Sequence, residues 1–301
     1  MNSHKNRTIS ILLPSRNRPK SLERLFSSIS ATSASLKLIE VLVYLDLDDF
    51  VTDETKFRNF NFVKFFRGPR VWMSLAQNFL FMQSRGDILM AASDDFIFKT
   101  KHWDEKVREV FEESLNKPLL LFGNDLGKHA GKLSTHFFLN RVWPSKLGYW
   151  VPVNRNGVWD LWIYELATKL NCVIYREDLI FEHAHFRHSQ KSKFLNRPDS
   201  LSLEIMQSQE LVKPLRTYRL LGRERTLDLL FMTQPLENLP RSKFNFILSR
   251  LFLFLIGNKL SSFGRQKILV RNNFEIFLDI FEFVRFKIGK FTEYLRALDD
   301  I

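Results

Sequence analysis

The chain has 301 residues, 45% of them hydrophobic, which is enough to bury a sizeable core in one large domain or two ordinary ones and excludes a disordered protein. Its formal charge of +12 makes phosphate-bearing partners attractive, whether a nucleotide, a nucleic acid or an anionic membrane surface. A single cysteine, Cys172, excludes an internal disulfide framework and a multi-cysteine zinc site and fits a reducing compartment. The opening "MNSHKNRTIS" lacks the apolar core of a signal peptide, and no run reaches the roughly 18 apolar residues of a spanning helix. The expected location is therefore the cytoplasm, or the inner face of a membrane.

In chain order, "TISILLP" predicts a strand. A polar turn, "SRNRP", follows, then a helix with Leu22, Leu25, Phe26 and Ile29 on one stripe. "LIEVLVYL" (38–45) predicts the second strand, which makes the first fifty residues a right-handed βαβ unit. The pattern repeats with strand "FVKFF" (62–66), a helix carrying Trp72, Leu75, Ala76 and Phe79, and strand "ILMAA" (88–92). Strands alternating with helices imply an α/β fold with a mostly parallel sheet. Ligands bind outside the carboxyl ends of such strands, where "PSRNRP", "DLDD" and "SDD" fall. Further on, the spacing predicts a helix over about 102–115, strands in "PLLLFG" and "THFFLNR", a turn-rich "PSKLGYWVPVNRNG", a helix from near Trp159, and strands "CVIYR" and "IFEHAHF". The expected domains are 1–198 and a mainly helical 199–301, whose "LFLFLI" run and excess of Lys and Arg suit packing, an oligomer contact or a membrane surface.

Asp94 and Asp95 end the apolar run 88–92. Paired acids at a strand end serve as turn or cap residues. They also suit a hard divalent cation bound between carboxylates and substrate phosphates. "GDILMAASDDFIF" resembles the strand and DxD-type motif of GT-A glycosyltransferases, particularly family-2-like members of a bacterial and phage-type subgroup. The resemblance extends over about 8–195. It implies a GT-A fold, Rossmann-like with helices flanking the sheet, and a nucleotide-sugar donor with a divalent metal, Mn2+ or Mg2+. By this matching, Pro14, Ser15, Arg16, Asn17 and Arg18 form the nucleotide-binding loop, and Asp46, with Asp48 in reserve, contacts base or ribose. Asp95 is the metal ligand, while Asp94 contacts ribose or shares the ion. Ser93 departs from the motif, standing where many members carry its first acid.

"GYWVPVNRNGVWDLW" is similar to the family's acceptor side, where a Gly-aromatic-x-Pro turn precedes an Asp-x-Trp at a helix start. The resemblance makes Asp160 the base that accepts the proton of the attacking hydroxyl in an inverting transfer, with Glu165 a second candidate. Both positions also suit ordinary helix acids. In "FEHAHFRHSQKSK", His183 and His185 project from one strand face, and the resemblance implies His183 as metal ligand with His185 second. His188 stands nearby, and Arg187, Lys191 and Lys193 are placed to neutralise a leaving diphosphate. Trp143, Tyr149, Trp150, Trp159 and Trp162 are core or sugar-stacking residues, Trp150 and Trp159 being the choices for sugar contact.

The implied activity is transfer of one sugar to a glycan or lipid-linked glycan hydroxyl, with an oligomer left open. A sugar nucleotidyltransferase is disfavoured because "PSRNRP" has no glycine. A nucleic-acid-binding protein rests on charge alone, without a zinc, aromatic or helix-turn-helix signature, so nucleic acid is not an expected partner. An inactive scaffold of the same fold remains, given Ser93.

Overall fold

The computed structural model describes residues 7–184, apart from 72, 113, 115, 116, 128, 129 and 153–158, together with Met232. By contacts the chain divides into two units, Met1–Arg241 and Ser242–Ile301, and every described residue belongs to the first. Apart from Met232, the expected region 199–301 lies outside the described residues.

β1 (Ile9–Ser15) pairs in parallel with β2 (Ile39–Asp46) on one side and β4 (Ile88–Ala91) on the other. Covered on both faces, these strands are unbroken apolar runs, with Ile9, Ile11, Leu12 and Leu13 fully buried. Between β1 and β2 lies α1 (Pro19–Thr32). Pro19 opens it, in the first turn, where no intrahelical N–H bond is lost, and Leu22, Leu25, Phe26 and Ile29 form the buried stripe that their spacing predicts. β3 (Val63–Gly68) adds in parallel to β2, and α2 (Met73–Gln83) returns the chain along β1 and β2.

Beyond Asp95 the order becomes mixed. β5 (Phe96–Phe98) and α3 (Trp103–Glu112) precede β6 (Leu120–Asn124) and β7 (Phe137–Asn140). The short α4 (Val142–Leu147) and α5 (Trp159–Lys169) then lead to the last described strand, β8 (Val173–His183). The eight strands run β3-β2-β1-β4-β7-β6-β8-β5. β6 pairs in parallel with β8, whereas β4–β7, β6–β7 and β5–β8 are antiparallel. The α/β fold is thus as expected, with its parallel half carrying the loops of interest.

Two local expectations are corrected and one short strand is added. "CVIYR" and "IFEHAHF" are one strand: the polar residues between them form an irregularity in which partners Gly123 and Asn124 face Arg176 and Ile180. "FIF" is a strand although only three residues long, because pairing with β8 supplies what its length cannot. "VWPSKL" is a helix: Pro144 sits in its first turn, where its missing N–H costs nothing, and Gly148 closes it with φ 75.

The amino ends of the parallel strands are locked by a buried carboxylate. Glu40 accepts from the Ser10 hydroxyl and the Arg85 amide, both at 2.6 Å, and Ser10 Oγ accepts the Gly86 amide at 2.7 Å. Burial pushes the Glu40 carboxyl up, but the Arg85 amide, the Ser10 hydroxyl and Lys64 outweigh it and hold it below its ordinary value. The close approach requires glycine: a Cβ at Gly86 stands 2.6 Å from the Ser10 nitrogen and 2.8 Å from the Thr8 carbonyl oxygen. Gly86→Ala is therefore expected to destabilise the protein by roughly 2 kcal/mol, the range of overpacked sites. Urea denaturation measures this, and an unchanged midpoint would show that β4 moves freely away from β1.

Candidate active site

Parallel pairing brings three strand ends to one edge. Ser15 is level with Leu45, and Leu12 with Ala91, so the loops after β1, β2 and β4 leave side by side. From the first loop, Arg16 reaches across to the second. Its guanidinium donates to Asp46 at 2.9 Å and grips both oxygens of Asp48. This fork is a charge-assisted bidentate pair, the strong form of the interaction. The Asp48 hydrogen bond chiefly raises the Arg16 pKa, and Arg16 in turn holds the Asp48 carboxyl below its ordinary value. Asp46 is more buried, and burial raises its pKa despite Arg16. A third acid, Asp49, was not singled out in the sequence; it accepts the amides of Asn17 and Thr52, each at 2.9 Å, and of Val51. Its grip on the Asn17 amide accompanies a left-handed backbone there, φ 55, which asparagine tolerates.

Asp94 and Asp95 are 4% and 5% exposed and face different partners. Asp94 accepts from the Ser15 hydroxyl at 2.6 Å and from Arg18 at 2.8 Å, which ties the first loop to the end of β4. Burial raises its pKa, Arg18 opposes this, and the neighbouring Asp95 charge adds to the rise. Asp95 faces the Ser93 hydroxyl and lies 3.3 Å from His183 Nε2. Burial pushes the Asp95 carboxyl up, but the His183 hydrogen bond and charge, Ser93 and His136 outweigh it and hold it well below the usual carboxylate range. The register explains the meeting. β5 lies antiparallel to β8 with Phe96 opposite His183, and the Ala184 amide donates to the Asp95 carbonyl at 2.8 Å.

His136 completes this group and was missed in the sequence. β7 runs antiparallel to β4 with Ala91 opposite Phe137, so the residue before β7 meets the residues after β4. His136 Nε2 is 2.7 Å from Ser93 Oγ. The only local signal was a histidine directly before an apolar strand. Ligand-capable atoms of Asp95, His136 and His183 lie within 4.8 Å of one another. One carboxylate oxygen and two imidazole nitrogens that converge in this way fit a divalent ion of intermediate hardness.

Asp160 stands in the first turn of α5, where its Oδ1 accepts the Leu161 amide at 2.8 Å. Burial pushes its carboxyl up to about 6, against that amide. None of the described hydrogen bonds or ion pairs joins it to the Asp95 group. Glu165 pairs with Lys169 at 2.6 Å, an ordinary i,i+4 ion pair of a helix surface. The expected sugar contacts at Trp150 and Trp159 are corrected: both rings are buried, Trp150 at 0% and Trp159 at 6% exposure. Trp150 Nε1 donates to Gln77 on α2, and Trp159 packs edge-on against Phe137. Trp143 and Trp162 are likewise core residues. His185, Arg187, His188, Lys191 and Lys193 lie outside the described residues.

No protein-family model and no curated protein sequence matches the chain. Among solved structures, it is similar to the mannosyltransferase PcManGT from Pyrobaculum calidifontis in complex with GDP-Man and Mn2+. That match has 11% identity and a TM-score of 0.50, and covers 97% of this chain and 84% of that one. Glucosyl-3-phosphoglycerate synthase from Mycobacterium tuberculosis, in complex with Mg2+ and UDP, matches at 14% identity and TM-score 0.46, over 64% of this chain and 79% of that one. S. aureus TarS 1-349 in complex with UDP matches at 18% identity and TM-score 0.33, over 39% of this chain and 35% of that one. Against two further TarS structures the chain spans 36% and 57% of the other's length. At such identities the likeness is one of architecture: the chain has the GT-A fold of nucleotide-sugar glycosyltransferases.

Proposed function

We propose that this chain is a metal-assisted, inverting glycosyltransferase that moves a sugar from a nucleoside-diphosphate donor to a hydroxyl of a glycan or lipid-linked glycan. The observation that carries the reading is the convergence, at the carboxyl edge of the parallel strands, of the Arg16–Asp46–Asp48 fork, the Ser15–Asp94–Arg18 link and the Asp95–His183 pair. PcManGT, which shares the fold, was solved with GDP-Man and Mn2+, a ligand set that such an edge suits.

In this reading the loop Pro14, Ser15, Arg16, Asn17 and Arg18, with Asp46, holds the nucleoside. Asp94, which accepts from Ser15 and Arg18, keeps that loop against the metal side and has lone pairs left to contact ribose or share the ion. Asp95 and His183 hold the divalent ion, which when bound offsets the charge that grows on the departing diphosphate. The acceptor oxygen attacks the anomeric carbon from the face opposite the diphosphate, the bond to the diphosphate oxygen breaks, and the hydroxyl proton passes to Asp160. Its raised pKa makes Asp160 a stronger base than an ordinary carboxylate, while leaving it ionised at neutral pH. No helix of the described residues is long and apolar enough to cross a membrane. A lipid-linked acceptor would be met from the cytoplasm, at a membrane face.

A thermal-shift panel of UDP, GDP, CMP and dTDP, each with and without Mn2+, is expected to give one metal-dependent stabilisation. A flat panel would support the inactive scaffold, for which Ser93 is the motivating departure. Asp160→Asn is expected to cut turnover by about 10²-fold or more while retaining the donor-induced shift. Wild-type kcat should rise with pH through about 6 as the base deprotonates. The same group sets a stability trend. Because its pKa is raised, its stabilising contribution is complete below the ordinary 3.8 and lost as pH rises through about 6. The Asn variant should thus be more stable than wild type at pH 8, by up to about 3 kcal/mol. Wild-type turnover in Asp160→Asn would remove it from the mechanism.

A further inference from the structure

We propose that His136 is a third metal ligand, taking the place of the acid that Ser93 replaces, and that the site holds a first-row transition ion such as Mn2+ without nucleotide and in preference to Mg2+. The inference rests on the reading of this edge as a metal-assisted centre and adds to it a ligand, an ion preference and an order of binding.

The geometry around Ser93 points to a cation. Ser93 Oγ stands between His136 Nε2, at 2.7 Å, and Asp95 Oδ1. His183 Nε2 lies 3.3 Å from the same carboxylate oxygen. Ligand-capable atoms of Asp95, His136 and His183 thus converge within 4.8 Å of one another, where one cation serves all three. On the far side of the ring, Thr135 Oγ1 donates to Asp125 Oδ2 at 3.3 Å and lies 3.1 Å from His136 Nδ1.

The surroundings orient the ring as ligating histidines require. Thr135 and Asp125 form the outer hydrogen-bonded pair on Nδ1, an arrangement that fixes tautomer and direction. Phe96, 1% exposed, lies 4.2 Å from the His136 ring, and the His183 ring meets it edge-on at 4.7 Å. The ligand set also predicts selectivity. Mg2+ prefers oxygen ligands and retains its waters, whereas two imidazoles favour transition ions. With three protein ligands in place, binding does not depend on a diphosphate.

The experiment titrates the full chain with Mn2+ alone, reading the free ion by electron paramagnetic resonance, with Mg2+ as competitor. Wild type is expected to bind one Mn2+, displaced only by Mg2+ in more than about tenfold excess. His136→Ala and the polar His136→Gln should each weaken Mn2+ by about tenfold or more, comparable to or beyond the loss from removing an outer-shell partner. Ser93→Asp added to His136→Ala should restore binding and let Mg2+ compete on equal terms. Circular dichroism establishes that each variant is folded. Wild-type Mn2+ affinity in a folded His136 variant, no binding without nucleotide, or equal affinity for Mg2+ each overturns the inference. If nucleotide binding remains metal-dependent, those outcomes leave the functional reading standing. Metal-independent nucleotide binding in wild type would sink both.

Discussion

Two adjacent carboxylates buried at the end of β4 cannot share one compensating partner, and the edge of the sheet is organised around keeping them apart. Like charges so close in a poorly solvated site repel strongly, and an uncompensated buried charge is costly. Asp94 turns to Ser15 and Arg18, whereas Asp95 turns to Ser93 and the histidines. Opposite compensation leaves opposite shifts: Asp94 lies above its ordinary pKa and Asp95 below it. The loop after β1 is thereby anchored to Asp94, while the ends of β7 and β8 gather around Asp95.

The opposite end of the same strands solves a similar problem with donors from within the chain. Glu40 is also buried, yet Ser10, Arg85 and Lys64 supply donors from within the chain. Gly86, the residue that opens the motif resembling the glycosyltransferase strand, serves this lock through its close backbone approach. The amino ends therefore hold the strands in register, and the carboxyl ends inherit that register as a platform for chemistry. Among the described residues, no hydrogen bond or ion pair joins Asp160 to either network. It is placed by α5, whose buried Trp159, Trp162 and Ile163 hold the first turn while burial sets its pKa.

Much of the first half was legible because its signals are local. Period-3.6 spacing identifies α1, and apolar runs bounded by polar turns identify β1, β2 and β4, since strands buried on both faces carry no polar alternation. Beyond Asp95 the determinants are distant in sequence. β5 exists through β8, and β8 survives its polar interruption because β6 holds both halves. The tryptophans illustrate the limit from the other side. A Trp beside a turn suggests a surface, but Trp150 is claimed by Gln77 and Asn78 on α2, more than seventy residues earlier.

The sequence by itself determined the α/β class, the positions of the loops after β1, β2 and β4, and the acids and basic residues those loops would present. These follow from the period of the apolar residues and from the chemistry of side chains near one another in the chain. Only the tertiary structure decided which charges pair: that Arg16 spans Asp46 and Asp48, that Arg18 belongs to Asp94, and that His136 meets Ser93. Those contacts depend on strand order and antiparallel register, which arise from packing the whole sheet. A histidine some forty residues from the acids becomes their neighbour because β7 returns beside β4 with Phe137 opposite Ala91.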